Sequence, residues 1–108
     1  MAHRRKAYFF YMLDALQAAA EAEGLDPQTA RLLTIETARS ASQLALAASE
    51  SVATLRKQVT SPGGTTEAAL NVLQSKDVFD AYVRAVAATR RRADELSTEL
   101  RPTNEATT

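Results

Sequence analysis

Glycine and proline are confined to three short stretches of this chain, and that placement limits its fold more than any other feature. Gly24 and Pro27 bracket one break, Pro62, Gly63 and Gly64 form a second, and Pro102 stands near the end. Proline lacks the amide donor a helix interior needs, and glycine resists being held in one regular conformation, so both mark where regular structure stops. Between the breaks alanine dominates, and the larger apolar residues recur at helical spacing. No alternating run of β-branched residues flanks a turn, so no strand competes, and no fixed-period repeat organises the chain. The pattern predicts an all-α domain.

The first helix is expected over residues 6–23, where Phe9, Leu13, Leu16 and Ala20 form a stripe that Met12, Ala15 and Ala19 widen. Only Asp14, Gln17 and Glu21 make a plain polar face, so this helix needs cover on several sides. Gly24 suits a left-handed C-cap, and Asp26 followed by Pro27 suits the N-cap and first position of a second helix, over residues 27–49. Ala30, Thr34, Thr37, Ala38, Ala41, Ala45 and Ala48 lie near one face of it, and such small residues let another backbone approach closely. A third helix is expected over residues 51–59 with Val52, Leu55 and Val59, and a fourth over residues 65–74 with Ala69, Leu70, Val72 and Leu73 packing. Asp77 is the expected N-cap of a fifth, ending near Leu100 and carrying Val78, Phe79, Tyr82, Val83, Val86, Ala93 and Leu96. Residues 1–5 and 101–108 are expected to be disordered, leaving 6–100 as the helical domain. Helices with this much apolar surface in so short a chain call for a second copy, and a homodimer is the expected assembly.

With 108 residues the chain is the size of one domain. Thirteen basic and thirteen acidic residues cancel, so no net field draws it toward nucleic acid or anionic lipid. Arg90, Arg91 and Arg92, with Arg4, Arg5 and Lys6, are the strongest counter-signal, but Asp94, Glu95 and Glu99 follow within two turns and the run reads as a solvated face. No nucleic-acid partner is expected. Nor is a membrane, since no apolar run approaches the ~18–20 residues that span a bilayer and no signal-peptide pattern opens the chain. The lack of cysteine excludes disulfides and thiolate chemistry and suits a cytoplasmic setting. His3 alone makes no metal site, and no metal is expected. Tyr8, Tyr11 and Tyr82 read as core or interface residues with their hydroxyls at a wet edge. Arg90 shares a side with Val83 and Val86, where a covered charge needs a carboxylate or carbonyl partner, within the chain or across a dimer.

Chemistry concentrates in Thr60-Ser61-Pro62-Gly63-Gly64-Thr65-Thr66-Glu67. Pro62 stops the third helix, and the paired glycines allow positive φ and close backbone approach. If Gly64 or Thr65 caps the fourth helix, its first amides point outward unpaired with the helix dipole behind them, an arrangement that favours a carboxylate or phosphate. Ser61, Thr65 and Thr66 add hydroxyls that donate to an anion or accept from a protonated ring nitrogen. The same residues also suit an ordinary helix start, so the turn alone leaves both readings open. It is no Walker loop, for no lysine follows the glycines, and no G-x-G-x-x-G run occurs in the chain.

The longer run Leu55-Arg56-Lys57-Gln58-Val59-Thr60-Ser61-Pro62-Gly63-Gly64-Thr65-Thr66-Glu67-Ala68-Ala69-Leu70 resembles the signature stretch of pyrroline-5-carboxylate reductases. Upstream, Ala7-Tyr8-Phe9-Phe10-Tyr11-Met12-Leu13-Asp14-Ala15-Leu16 resembles the opening of that family's C-terminal domain, and the likeness continues from Phe79 to Leu96. The resemblance implies the helical part of a two-domain enzyme that uses NAD(P)H to reduce 1-pyrroline-5-carboxylate to proline, with dimers formed by interlocking helices. It further implies that Ser61, Gly63, Gly64, Thr65 and Thr66 bind the substrate. Ser61 and the backbone amides around Gly64 and Thr65 would grip its carboxylate, and Thr66, the candidate catalytic residue, would sit near the ring nitrogen. Two departures stand out. Arg4-Arg5-Lys6 replaces the Ser-Gly-Pro hinge common in the family, and no residues precede it that could form a Rossmann unit. No cofactor is therefore expected on this chain, and hydride transfer by it alone is not expected. The alternative is a helical homodimerisation module or scaffold without catalytic activity.

Overall fold

The computed structural model describes residues 2–100, with side chains from Arg4 onward. Five helices follow one another among the described residues, with no strand: α1 Ala2–Ala22, α2 Pro27–Ala47, α3 Val52–Gln58, α4 Thr65–Ser75 and α5 Val78–Glu99. They fall into two compact units, Met1–Ser61 and Pro62–Thr108. The expected tail and Pro102 lie outside the described residues. Ala2 to Arg5, outside the expected 6–100 domain, continue α1 toward the N-terminus. Nothing in Arg4-Arg5-Lys6 breaks a helix, because straight-chain basic residues are good helix formers.

In the first unit α1 and α2 pack against each other as a hairpin. Gly24, at φ +111°, closes α1 in a Schellman turn: its amide donates to the Glu21 carbonyl at 3.0 Å, and the Leu25 amide donates to that of Ala20 at 3.2 Å. Asp26 then caps α2, accepting from the Thr29 amide at 2.9 Å, with Pro27 in the first turn. The face of α2 that packs is the small-residue one. Ala30 is fully buried, Thr34 nearly so, and Ala38, Ala45 and Ala48 are half-buried along the same stripe. On α1 the covered stripe is Arg4, Tyr8, Met12, Leu13, Gln17 and Ala20. Phe9 and Leu16, which share the expected apolar stripe with Leu13 and Ala20, are exposed and left uncovered within this unit. Ser51 caps α3 by accepting from the Thr54 amide at 3.1 Å, and Leu55 is that helix's one half-buried residue.

In the second unit α4 packs on α5. Leu70 of α4 and Val78, Tyr82, Thr89 and Ala93 of α5 are half-buried, whereas Val72, Leu73, Phe79, Val83 and Val86 are exposed. Asp77 is the N-cap of α5 as expected, its carbonyl accepting from the Ala81 amide at 2.9 Å, but it takes the left-handed conformation, φ 54° and ψ 37°, and its carboxylate makes no cap bond. Its amide instead donates to the Gln74 carbonyl at 3.1 Å, so it works as the reversing residue that ends α4. Within this one copy Arg90 is exposed beside Val83, Val86 and Asp94, and its guanidinium forms no hydrogen bond or ion pair with another described residue, so the partner expected within the chain is not found among those residues. The pairs on α5 are Asp80 with Arg84 at 3.2 Å and Arg92 with Glu95 at 3.0 Å and Glu99 at 3.7 Å, all solvated and worth little to stability.

Among the described residues no large side chain is fully buried; Ala30 is the only buried apolar one. A buried Leu, Val or Phe contributes roughly 1.5–3 kcal/mol, against about 1–2 kcal/mol of backbone entropy lost for each residue ordered. Neither unit has a core able to offset that cost. Meanwhile Phe79 is 76% exposed, Phe10 64% and Leu46 87%.

Candidate functional site

The turn between α3 and α4 is built from local chemistry. Thr60 ends α3 by folding back on it, its amide donating to the Lys57 carbonyl at 3.1 Å and its hydroxyl to that of Arg56 at 2.6 Å. Ser61 is the exposed last residue of the first unit. In the second, Gly63 takes φ +72°, where a side chain would be strained although the space around it is open. Gly64 is the N-cap of α4 in extended conformation, φ −88° and ψ −178°, which resolves the choice between Gly64 and Thr65. Its carbonyl accepts the first helical bond, from the Ala68 amide at 3.2 Å.

Gly64 has no side chain to satisfy the amides ahead of it, and α4 receives no side-chain cap bond at that position. The first-turn amides of Thr65, Thr66 and Glu67 therefore have no acceptor within the helix and carry its dipole outward. Thr65 and Thr66 are exposed, and neither their hydroxyls nor that of Ser61 bond to another described residue. The turn so built presents donors to a small anion. Gly63, Gly64, Thr65 and Thr66 are brought onto it together, while Ser61 belongs to the preceding unit.

One participant carried no assigned role in the sequence. Glu67 reaches back across the turn, and its Oε1 accepts from the Gly63 amide at 2.9 Å. Its spacing is the signal that could have found it, since a glutamate three residues after an N-cap is the capping-box position. Beyond this turn, no group of three or more His, Cys, Asp or Glu able to hold a metal occurs among the described residues. Among the described residues no helix is long and apolar enough to cross a membrane. The strand, glycine-rich turn and helix of a Rossmann dinucleotide site do not occur in succession among the described residues, which contain no strand.

The family model for pyrroline-5-carboxylate reductase dimerisation matches residues 5–96. The pyrroline-5-carboxylate reductase of Pseudomonas aeruginosa is 44% identical over 95 residues, a match covering 87% of this chain and 34% of the relative. Pyrroline-5-carboxylate reductase 2 of Bacillus subtilis is 36% identical over 94 residues, covering 87% and 34%. The chain thus spans about a third of the length of the curated relatives it matches. Among solved structures, a pyrroline-5-carboxylate reductase from Coxiella burnetii superposes with a TM-score of 0.80 at 47% identity, covering 84% of this chain and 34% of that one. Pyrroline carboxylate reductase of Plasmodium falciparum, solved with NADP bound, reaches a TM-score of 0.81 at 22% identity, covering 83% and 36%, and supports the fold alone.

Proposed function

The chain belongs to the pyrroline-5-carboxylate reductase family, as its dimerisation domain, and from that membership we propose that it pairs with a second copy and grips a small ring carboxylate. The relatives are pyrroline-5-carboxylate reductases by name, hence oxidoreductases, and the reading carried to this chain is a part in proline biosynthesis. The observation that supports pairing most strongly is the near absence of buried large side chains beside fully formed helices. Such a chain needs apolar cover from outside itself. Residues 6–100 form the working domain in this reading, with the flanking residues outside it, and its setting is the cytoplasm.

The grip is assigned to the α3–α4 turn. The backbone amides around Gly64 and Thr65 and the Ser61 hydroxyl hold the ligand carboxylate, Gly63 permits the bend, and the Thr66 hydroxyl faces the ring nitrogen. The unassisted amides of the α4 first turn support that assignment. The residues of this chain contribute binding and orientation, while the NAD(P)H of the reductase reaction is held outside them. Isothermal titration with L-proline tests the grip. Weak binding that Ser61→Ala and Thr66→Val reduce is the expected result, and no heat at millimolar ligand would reject it. A second reading, a helical homodimerisation module whose turn binds nothing, is favoured by the Glu67 carboxylate already seated on the Gly63 amide.

A further inference from the structure

Building on the carboxylate grip proposed above, we infer that Glu67 is a positioning residue that ties down the turn and lowers its affinity for an anion. The geometry is unusual for a residue at the third helical position. A capping glutamate there ordinarily returns to the amide of the N-cap itself. Glu67 reaches one residue further, to Gly63, and bonds at 2.9 Å to the left-handed residue of the turn. Gly63, like Gly64 beside it, has wide conformational choice, so tying its amide to Glu67 restricts the turn.

The same carboxylate carries a cost for ligand binding. Glu67 is half-buried and forms no ion pair with another described residue. Its negative charge therefore stays at the start of α4, where the free amides would receive the ligand's own carboxylate. Restraint and repulsion act in opposite directions, and two substitutions separate them. Glu67→Gln keeps an acceptor oxygen for Gly63 and removes the charge, whereas Glu67→Ala removes both.

Hydrogen exchange at the Gly63 amide and amide chemical-shift titration with tetrahydrofuran-2-carboxylate, a ring anion without an amine, read the two effects separately. Unchanged helicity and solution mass establish that each variant folds. Exchange at Gly63 is expected to be similar in the parent and Glu67→Gln and severalfold faster in Glu67→Ala. Glu67→Gln is expected to bind the probe about twofold to fivefold more tightly than the parent, the range of a partly screened charge at a helix start, and Glu67→Ala less tightly than Glu67→Gln. Equal exchange in all three proteins would overturn the positioning role, and Glu67→Gln binding no better than the parent would overturn the charge effect. If the probe moves no amide between Ser61 and Thr66 in any of the three, the carboxylate grip itself fails and the charge effect with it. The exchange data would still decide the positioning role.

Discussion

Thr29 gives both of its donors to Asp26, its amide to Oδ1 at 2.9 Å and its hydroxyl to Oδ2 at 2.8 Å. The amide bond first, and the hydroxyl second, hold the Asp26 carboxyl below its ordinary value of 3.8. A carboxyl depressed in the folded state stabilises fold above its unfolded value, and the contribution is lost as pH falls through the folded one. Glu36, held down by its hydrogen bond and charge pairing with Arg39, acts in the same direction. Urea denaturation midpoints should therefore fall from the ordinary carboxylate range downwards. Asp26→Asn, which keeps a capping oxygen without the charge, should show a shallower fall.

Asp77 sits at φ 54°, a conformation that glycine adopts without the steric cost other residues meet. Asp77→Gly should be neutral or stabilising by up to about 1 kcal/mol, and Asp77→Ile should destabilise by roughly 1–2 kcal/mol. Chemical denaturation of the three proteins at one protein concentration checks the order.

A methyl group added at Gly63 would meet no atom within 4 Å, yet its φ of +72° is one that alanine resists. Gly63→Ala should cost about 1 kcal/mol through the backbone alone and weaken L-proline binding by bending the turn away from its present shape. Pro62→Ala, which leaves φ at Gly63 free to persist, should affect binding less. Titration of both variants decides between a backbone requirement and a general sensitivity of the loop.

These residues also show how far the sequence can be read. Helix ends set by local chemistry were legible: Gly24 in its Schellman turn, Asp26 with Pro27, Ser51 at the start of α3 and the small-residue face of α2 all depend on neighbours a few positions away. The choice of Gly64 over Thr65 as cap, and the bond from Gly63 to Glu67, depend on a backbone path that residue types alone leave open. Asp77 caps α5 by position, as its residue type suggests, but residue type leaves open the left-handed backbone that the same short side chain tolerates where α4 closes. Phe9, Leu16 and Arg90 lie on faces that periodicity identifies without naming the chain that covers them, and within a single copy those faces remain open.

The open face of α5 gives a direct mutational test of pairing. Val83 and Val86 are each at least half exposed in one copy, so a charge there would cost a monomer almost nothing. If a second copy covers them, Val83→Glu, which has no basic residue three or four positions away on α5, buries an unpaired carboxylate and should raise the dimer dissociation constant by at least about tenfold, roughly 1.4 kcal/mol. Sedimentation velocity across a concentration series would register the change, and an unaltered profile would place the interface elsewhere.

Sedimentation equilibrium on the unmodified chain, read with its helical circular dichroism at the same concentrations, tests the dimerisation domain most directly. We expect a species of twice the 11.7 kDa chain mass, with helicity lost on dilution as the dimer dissociates. A fully helical, cooperatively unfolding species of 11.7 kDa that persists at every concentration would contradict it.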